Sequence, residues 1–245
     1  MSQVLIFDDS QAVAHAAADR FVEIARAAIN ESGRFSVALS GGSTPKVVYE
    51  LLASDERRNS FDWSKAHIFF GDERCVPPDD AESNYRMANE AMLARLSIPT
   101  QNIHRIQGIG DAAANARLYE DELRSYFTGA AWPRFDLIFL GMGDDGHTAS
   151  LFPNSPALSE TSAWVAANWV EKLNAFRITL TLPAINHAAH IIFLVTGGGK
   201  AQRLSEVLSA ESESAQLPSQ LIRPIGGSLE WLVDKAAAAK SKAEG

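Results

Sequence analysis

His147 follows Asp144, Asp145 and Gly146 just past the apolar run 135–140, where a buried strand would end. A carboxylate two or three positions away can orient one nitrogen of its ring. The other nitrogen is then free to take a proton near neutral pH, the work of a general base. Spacing alone leaves both Asp145 and Asp144 open as the orienting group, and Thr148 reads as the start of a helix. Three more segments leave apolar runs and turn Gly-rich or charged: SGGSTP (40–45), GDERCV (71–76) and TGGGK (196–200). In the first, Gly41 and Gly42 let the backbone come close to a ligand, and Ser43 and Thr44 supply hydroxyls. Thr44-Pro45 reads as a helix start with Thr as N-cap. A helix start leaves N–H groups unpaired and partly positive, which suits phosphate. Arg74 offers a planar fork to an oxyanion, and Lys200 closes a Gly-rich turn. Each segment alone also reads as an ordinary turn, and Arg74 alone as a partner for Asp72 or Glu73. Four such segments together point to an anionic, phosphate-bearing small substrate beside a histidine base.

Other patterns fail on chemistry. GMGDDG (141–146) fits the spacing G-x-G-x-x-G. However, Asp144 and Asp145 would repel the pyrophosphate such a loop must hold, so no dinucleotide cofactor is expected. TGGGK lacks the gap between glycines and the trailing Ser or Thr of a nucleoside-triphosphate loop. Asp72, Asp144, Asp145 and His147 have no regular ligand spacing, so no metal is expected. Cys75, the single cysteine, has no evident His partner for a nucleophile role. No G-x-S-x-G elbow is present.

The elements that must position these groups alternate. Strand patterns fall at 4–7, 35–39, 67–70, 103–106, 135–140, 164–167, 176–182 and 190–195. FDLIFL and HIIFLV are apolar on both faces, as in parallel strands covered by helices. Helical spacing runs through 10–31, where Val13, Ala17, Phe21, Ile24 and Ala28 form one stripe, and through 111–127 and 81–93. The Ser/Glu-rich stretch 209–214 reads as an exposed loop and the Ala/Lys tail after Asp234 as a short helix. The alternation implies an α/β fold with an open, mostly parallel sheet flanked by helices, as one domain over 1–245. Ligands of such sheets bind beyond the carboxyl ends of the strands.

With 245 residues, 46% hydrophobic and 21% charged, the chain fits a globular protein. Its net charge of −8 disfavours polyphosphate backbones and anionic lipid, so neither nucleic acid nor a membrane is an expected partner. One cysteine cannot form an internal disulfide, and the first residues show no basic run before an apolar core. The expected location is the cytoplasm.

Five segments carry a resemblance: SGGSTPKVVYELL, FFGDERCVPPDDAESNYRMANEAML, FDLIFLGMGDDGHTASLFP, FRITLTLPAINHAAHIIFLVTGGGKA and PSQLIRPIGGSLEWLVDKAAA. From about residue 33 to 239 the chain closely resembles the 6-phosphogluconolactonase family. The resemblance implies a Rossmann-like sheet of the glucosamine-6-phosphate deaminase type. It also implies metal-free hydrolysis of 6-phospho-D-glucono-1,5-lactone to 6-phosphogluconate, in the oxidative branch of the pentose phosphate pathway. The family's catalytic histidine falls on His147, with Asp145, or else Asp144, supporting it. Its phosphate- and sugar-contacting groups fall on Gly41, Gly42, Ser43, Thr44, Arg74, Arg177 and Lys200. Which cation meets phosphate and which meets sugar stays open. The implied partner is the small sugar-phosphate lactone, with no cofactor and a monomeric chain. The nearest rival on the same scaffold is an amino-sugar-phosphate isomerase/deaminase using Asp72 as enolising base, and the TASLFP continuation after His147 favours the lactonase. A silent sugar-phosphate sensor is a further alternative.

Overall fold

The computed structural model describes residues 2–209 and 217–241. In chain order its strands are β1 (Ser2–Phe7), β2 (Phe35–Leu39), β3 (Ala66–Phe70), β4 (Asp72–Arg74), β5 (Leu137–Leu140), β6 (Val165–Val170), β7 (Ala175–Leu180), β8 (His190–Val195) and β9 (Ser228–Asp234). The helices are α1 (Ser10–Ser32), α2 (Ser43–Leu52), α3 (Asn84–Ala91), α4 (Ala112–Tyr126), α5 (Leu182–Asn186), α6 (Ala201–Leu208) and α7 (Lys235–Ala238).

Six strands form one sheet in the order β1-β9-β8-β5-β2-β3, and every neighbouring pair is parallel. The expected mostly parallel α/β fold is borne out. Every residue of β2 and β5 is buried, because helices take the place of solvent on a parallel sheet. The chain runs from β2 outward to β3 and then returns to the other side of β2 for β5. Strand order therefore reverses between β2 and β5, where α/β sheets open a crevice at their carboxyl edge.

A second, antiparallel sheet, β4-β7-β6, was not expected from the sequence. It joins the first at Gly71, whose N–H donates to Leu39 O at 2.8 Å while its carbonyl accepts from Leu180 N at 2.8 Å. The turn after β3 is thus a handover between sheets, which carries Asp72, Glu73 and Arg74 across the top of the crevice.

Several expectations need correction. Segment 103–106 is not a strand: Ile103 makes one bridge to Ile68, and the chain then leaves β3 to press Gly108 against the carbonyls of Arg74 and Val76. β9 escaped notice because Glu230 interrupts its apolar run. That carboxylate is buried and takes two bonds from Arg20, at 2.7 and 3.1 Å. Removing Arg20 would strand the charge at a cost of about 3 kcal/mol. Thr44 does not cap its helix. α2 begins at Ser43 with Gly42 as N-cap, and the Thr44 hydroxyl is spent on Thr196 at 2.8 Å. Thr148 opens no helix. Its hydroxyl donates to Gly141 O at 2.9 Å and Ala149 takes a left-handed φ of 46°, which folds the chain into a tight loop. The tail helix is α7. Stretch 209–214 lies outside the described residues from 210 onward.

Candidate active site

The loops after β2, β3, β5 and β8 come from four adjacent strands and meet over the crevice. They enclose a cleft of about 310 Å³. Its first wall is the β2–α2 loop. Gly42 sits at φ 114°, a conformation L side chains rarely adopt. This sharp turn puts the start of α2 at the cleft with no side-chain cap. Among the described residues no acceptor meets the N–H of Ser43 or Thr44, so both remain available to an anion. Tyr49, from inside α2, fixes the strand end by donating to Ser40 O at 2.9 Å and accepting from Ser40 N at 3.0 Å. Ser40 borders the cleft, and its buried hydroxyl has no hydrogen-bond partner among the described residues.

His147 lines the same cleft, from the loop after β5. Its Nδ1 lies 2.6 Å from Asp145 Oδ1, and its backbone N–H donates to the same oxygen at 3.1 Å. The Phe152 ring stacks on the imidazole at 4.2 Å and 27°. With Nδ1–H given to Asp145, the lone pair sits on Nε2, for which no protein donor is found among the described residues. Burial pushes the Asp145 carboxyl upward. Hydrogen bonds from Lys172 and from the His147 ring and backbone outweigh it, and hold the acid far below the usual carboxylate range. The group beside the imidazole is therefore an anion throughout the neutral range. The structure separates the two candidate acids: Asp145 meets His147, whereas Asp144 pairs with Lys200 at 2.5 Å.

The cationic end is built by β4 and β7, where Arg74 and Arg177 are directly opposite in register. No carboxylate pairs with either guanidinium among the described residues; Arg74 donates to the Glu82 carbonyl and Arg177 only reaches Phe176 O at 3.5 Å. Burial, then the neighbouring Arg74 charge, lowers the proton affinity of Arg177. Two adjacent cations with no carboxylate in direct contact among the described residues favour a bound anion. Glu73 holds the strand in place by accepting from the N–H groups of Arg74 (2.7 Å), Asn84 (2.8 Å) and Tyr85 (2.8 Å). Burial pushes its carboxyl up, and those same donors pull against the rise. Asp72, also buried at the cleft, accepts from Ser150 Oγ at 2.6 Å and Asn84 Nδ2 at 3.3 Å.

Gly41, Gly42, Ser43, Thr44, Arg74, His147 and Lys200 all line the cleft. Arg177 is not among its lining residues and adjoins the cleft through Arg74. Sequence reasoning included Ser40 and Thr196 in its candidate segments without giving them a role, and missed Asn84 and Lys172. Ser40 and Thr196 border the Gly-rich loops, a signal that could have given them a role. Asn84 and Lys172 arrive through tertiary contacts, with no local pattern to mark them. Among the described residues no group of three His, Cys, Asp or Glu side chains is arranged to hold a metal ion. No described helix is long and apolar enough to cross a membrane.

The family model for glucosamine-6-phosphate isomerases/6-phosphogluconolactonase matches residues 8–231. The chain belongs to this family. A 6-phosphogluconolactonase from Synechocystis is 44% identical over 213 residues, 86% of each chain. The solved 6-phosphogluconolactonase from Trypanosoma cruzi superimposes with a TM-score of 0.89 at 31% identity, covering 99% of this chain and 98% of that one. A monomeric glucosamine-6-phosphate deaminase superimposes at 0.80 with 19% identity, over 97% and 99% of the two chains. That likeness carries the shared fold alone. The resemblance read from the motifs is thereby borne out, and with it a lactone-hydrolysing enzyme of this family.

Proposed function

We propose that this chain hydrolyses 6-phospho-D-glucono-1,5-lactone to 6-phospho-D-gluconate in the oxidative branch of the pentose phosphate pathway, with His147 as general base. The observation that carries the reading is the polarity of the cleft. An oriented imidazole lines the cleft, together with the free start of α2 and Arg74, which Arg177 adjoins from outside the lining. A substrate with a phosphate at one end and a carbonyl at the other spans this arrangement.

Phosphate held by the N–H groups of Ser43 and Thr44 and by Arg74, with Arg177 reinforcing its charge, brings C1 toward His147 by restricting orientation. Nε2 takes a proton from water as its oxygen attacks C1, and the imidazolium is stabilised by Asp145. The carbonyl becomes a tetrahedral oxyanion, met by N–H donors of the Gly-rich loops. When the C1–O5 bond breaks, the imidazolium returns the proton to O5, and the new carboxylic acid ionises in water. A lactone carbonyl is electrophilic enough that neither a metal nor a covalent nucleophile is needed. Lys200, paired with Asp144, serves the sugar end. Both sheets supply residues to the cleft, which supports reading the chain as one catalytic domain.

The test is substrate choice. Freshly generated lactone should be hydrolysed well above its spontaneous rate, and glucosamine 6-phosphate should release no ammonia. Ammonia release without lactone hydrolysis would replace this reading by the deaminase, and binding without turnover of either would replace it by a sensor.

A further inference from the structure

The hairpin between β6 and β7 belongs to none of the cleft loops, yet its tip reaches the histidine's supports. Its turn, Glu171–Leu173, is followed by Asn174 in the left-handed region at φ 47°, and Trp169 Nε1 ties the turn down by donating to Glu171 Oε2 at 2.8 Å. Lys172 projects from this turn. Its Nζ donates to Asp145 Oδ2, the oxygen that His147 leaves free. The same Nζ lies 4.7 Å from the centroid of the Phe152 ring, and that ring stacks on His147. One ammonium therefore touches both groups that hold the imidazole.

We infer that Lys172 is a positioning residue that tunes the proton affinity and aim of His147 through Asp145 and Phe152. The inference rests on His147 being the base. A carboxylate beside an imidazole favours the imidazolium, and a cation on that carboxylate's far oxygen weakens the effect. With Lys172 in place, Asp145 still orients Nδ1, but its charge is shared with the ammonium. The other charges around the imidazole do not duplicate this role. Asp144 is occupied by Lys200, Arg203 donates to the Asp144 backbone carbonyl, and Asp72 and Arg74 lie elsewhere on the cleft lining. Holding Asp145 by two oxygens also limits its swing, which keeps Nε2 aimed at the cleft.

The test combines Lys172→Met, Lys172→Arg and Asp145→Asn, with thermal melting to confirm folding. The pH profile of kcat/KM and the NMR titration of the His147 ring protons are both recorded. Lys172→Met should raise the acid limb and the NMR midpoint together by roughly 0.5 to 1 pH unit, the scale of a half-exposed charge partner. It should also lower the plateau kcat several-fold, and Lys172→Arg should restore both. In an Asp145→Asn background, Lys172→Met should move neither midpoint. Lower activity with unmoved midpoints, or a shift that persists without the Asp145 charge, would overturn the inference. Since the NMR titration needs no turnover, a wild type inactive on lactone would sink the proposed function and leave this test readable.

Discussion

Gly143→Ala tests whether catalysis depends on where the imidazole sits rather than on its mere presence. Gly143 lies in the loop after β5, bonded through its N–H to His147 O at 2.9 Å and through its carbonyl to Gly146 N at 3.0 Å. A Cβ at this position would fall 2.0 Å from His147 Nδ1 and 2.1 Å from Cε1. Ordinary contact between such atoms is about 3.5 Å, so the ring must retreat by roughly 1.5 Å. That movement breaks the 2.6 Å bond to Asp145 and disturbs the Phe152 stack. A misplacement of about 1 Å in a catalytic group can cost 100-fold in rate, and kcat should fall by about that factor. KM should change little, because the α2 start and Arg74 are untouched. The melting temperature should stay within a few degrees, since the ring can swing toward solvent from a site already 29% exposed. Initial rates on fresh lactone, followed by acid release in weak buffer and corrected for the blank, give both constants. A variant within threefold of wild-type kcat would refute the claim that the loop fixes the base.

Arg74→Met should raise KM by about 10- to 100-fold, the scale of a lost charge-assisted hydrogen bond, with a smaller effect on kcat; Arg177→Met should act in the same direction more weakly. Progress curves over a range of lactone concentration would show this, and an unchanged KM in Arg74→Met would move the phosphate elsewhere. Away from the cleft, burial, and then the neighbouring His104 and Arg34 charges, hold His67 down to about 4. The unfolded imidazole titrates near 6.5, so below that value the unfolded chain binds a proton that the folded chain refuses. This contribution to stability is full above pH 6.5 and declines as pH falls toward 4. His67→Gln should therefore lose less melting temperature than wild type across that interval; parallel curves would contradict the assignment.

Local pattern disclosed the strands whose burial is uniform. β2, β5 and β8 read correctly because both of their faces are apolar, and the Gly-rich loops at their ends gave most of the cleft. What escaped was set by tertiary contact. β9 was hidden by Glu230, a residue that would end an apolar strand had Arg20 not reached it from α1. The short strand β4 looked like a loop because Asp72, Glu73 and Arg74 are polar, and only the antiparallel pairing with β7 makes them a strand. That same pairing aligns Arg74 with Arg177, about a hundred residues away, which no spacing rule could supply. The sequence favoured Asp145 over Asp144 as the partner of His147 but could not settle between them, for a like reason. Their roles are separated by Lys200 and Lys172, which arrive from different elements.

The most direct measurement is lactone hydrolysis by the wild type and by His147→Ala, with a no-enzyme blank because this lactone opens spontaneously. Circular dichroism and melting would establish that the variant is folded. The expected result is strong acceleration by the wild type and near-background rates for the folded variant, with lactone binding retained. Full turnover by His147→Ala would contradict the role given to the histidine.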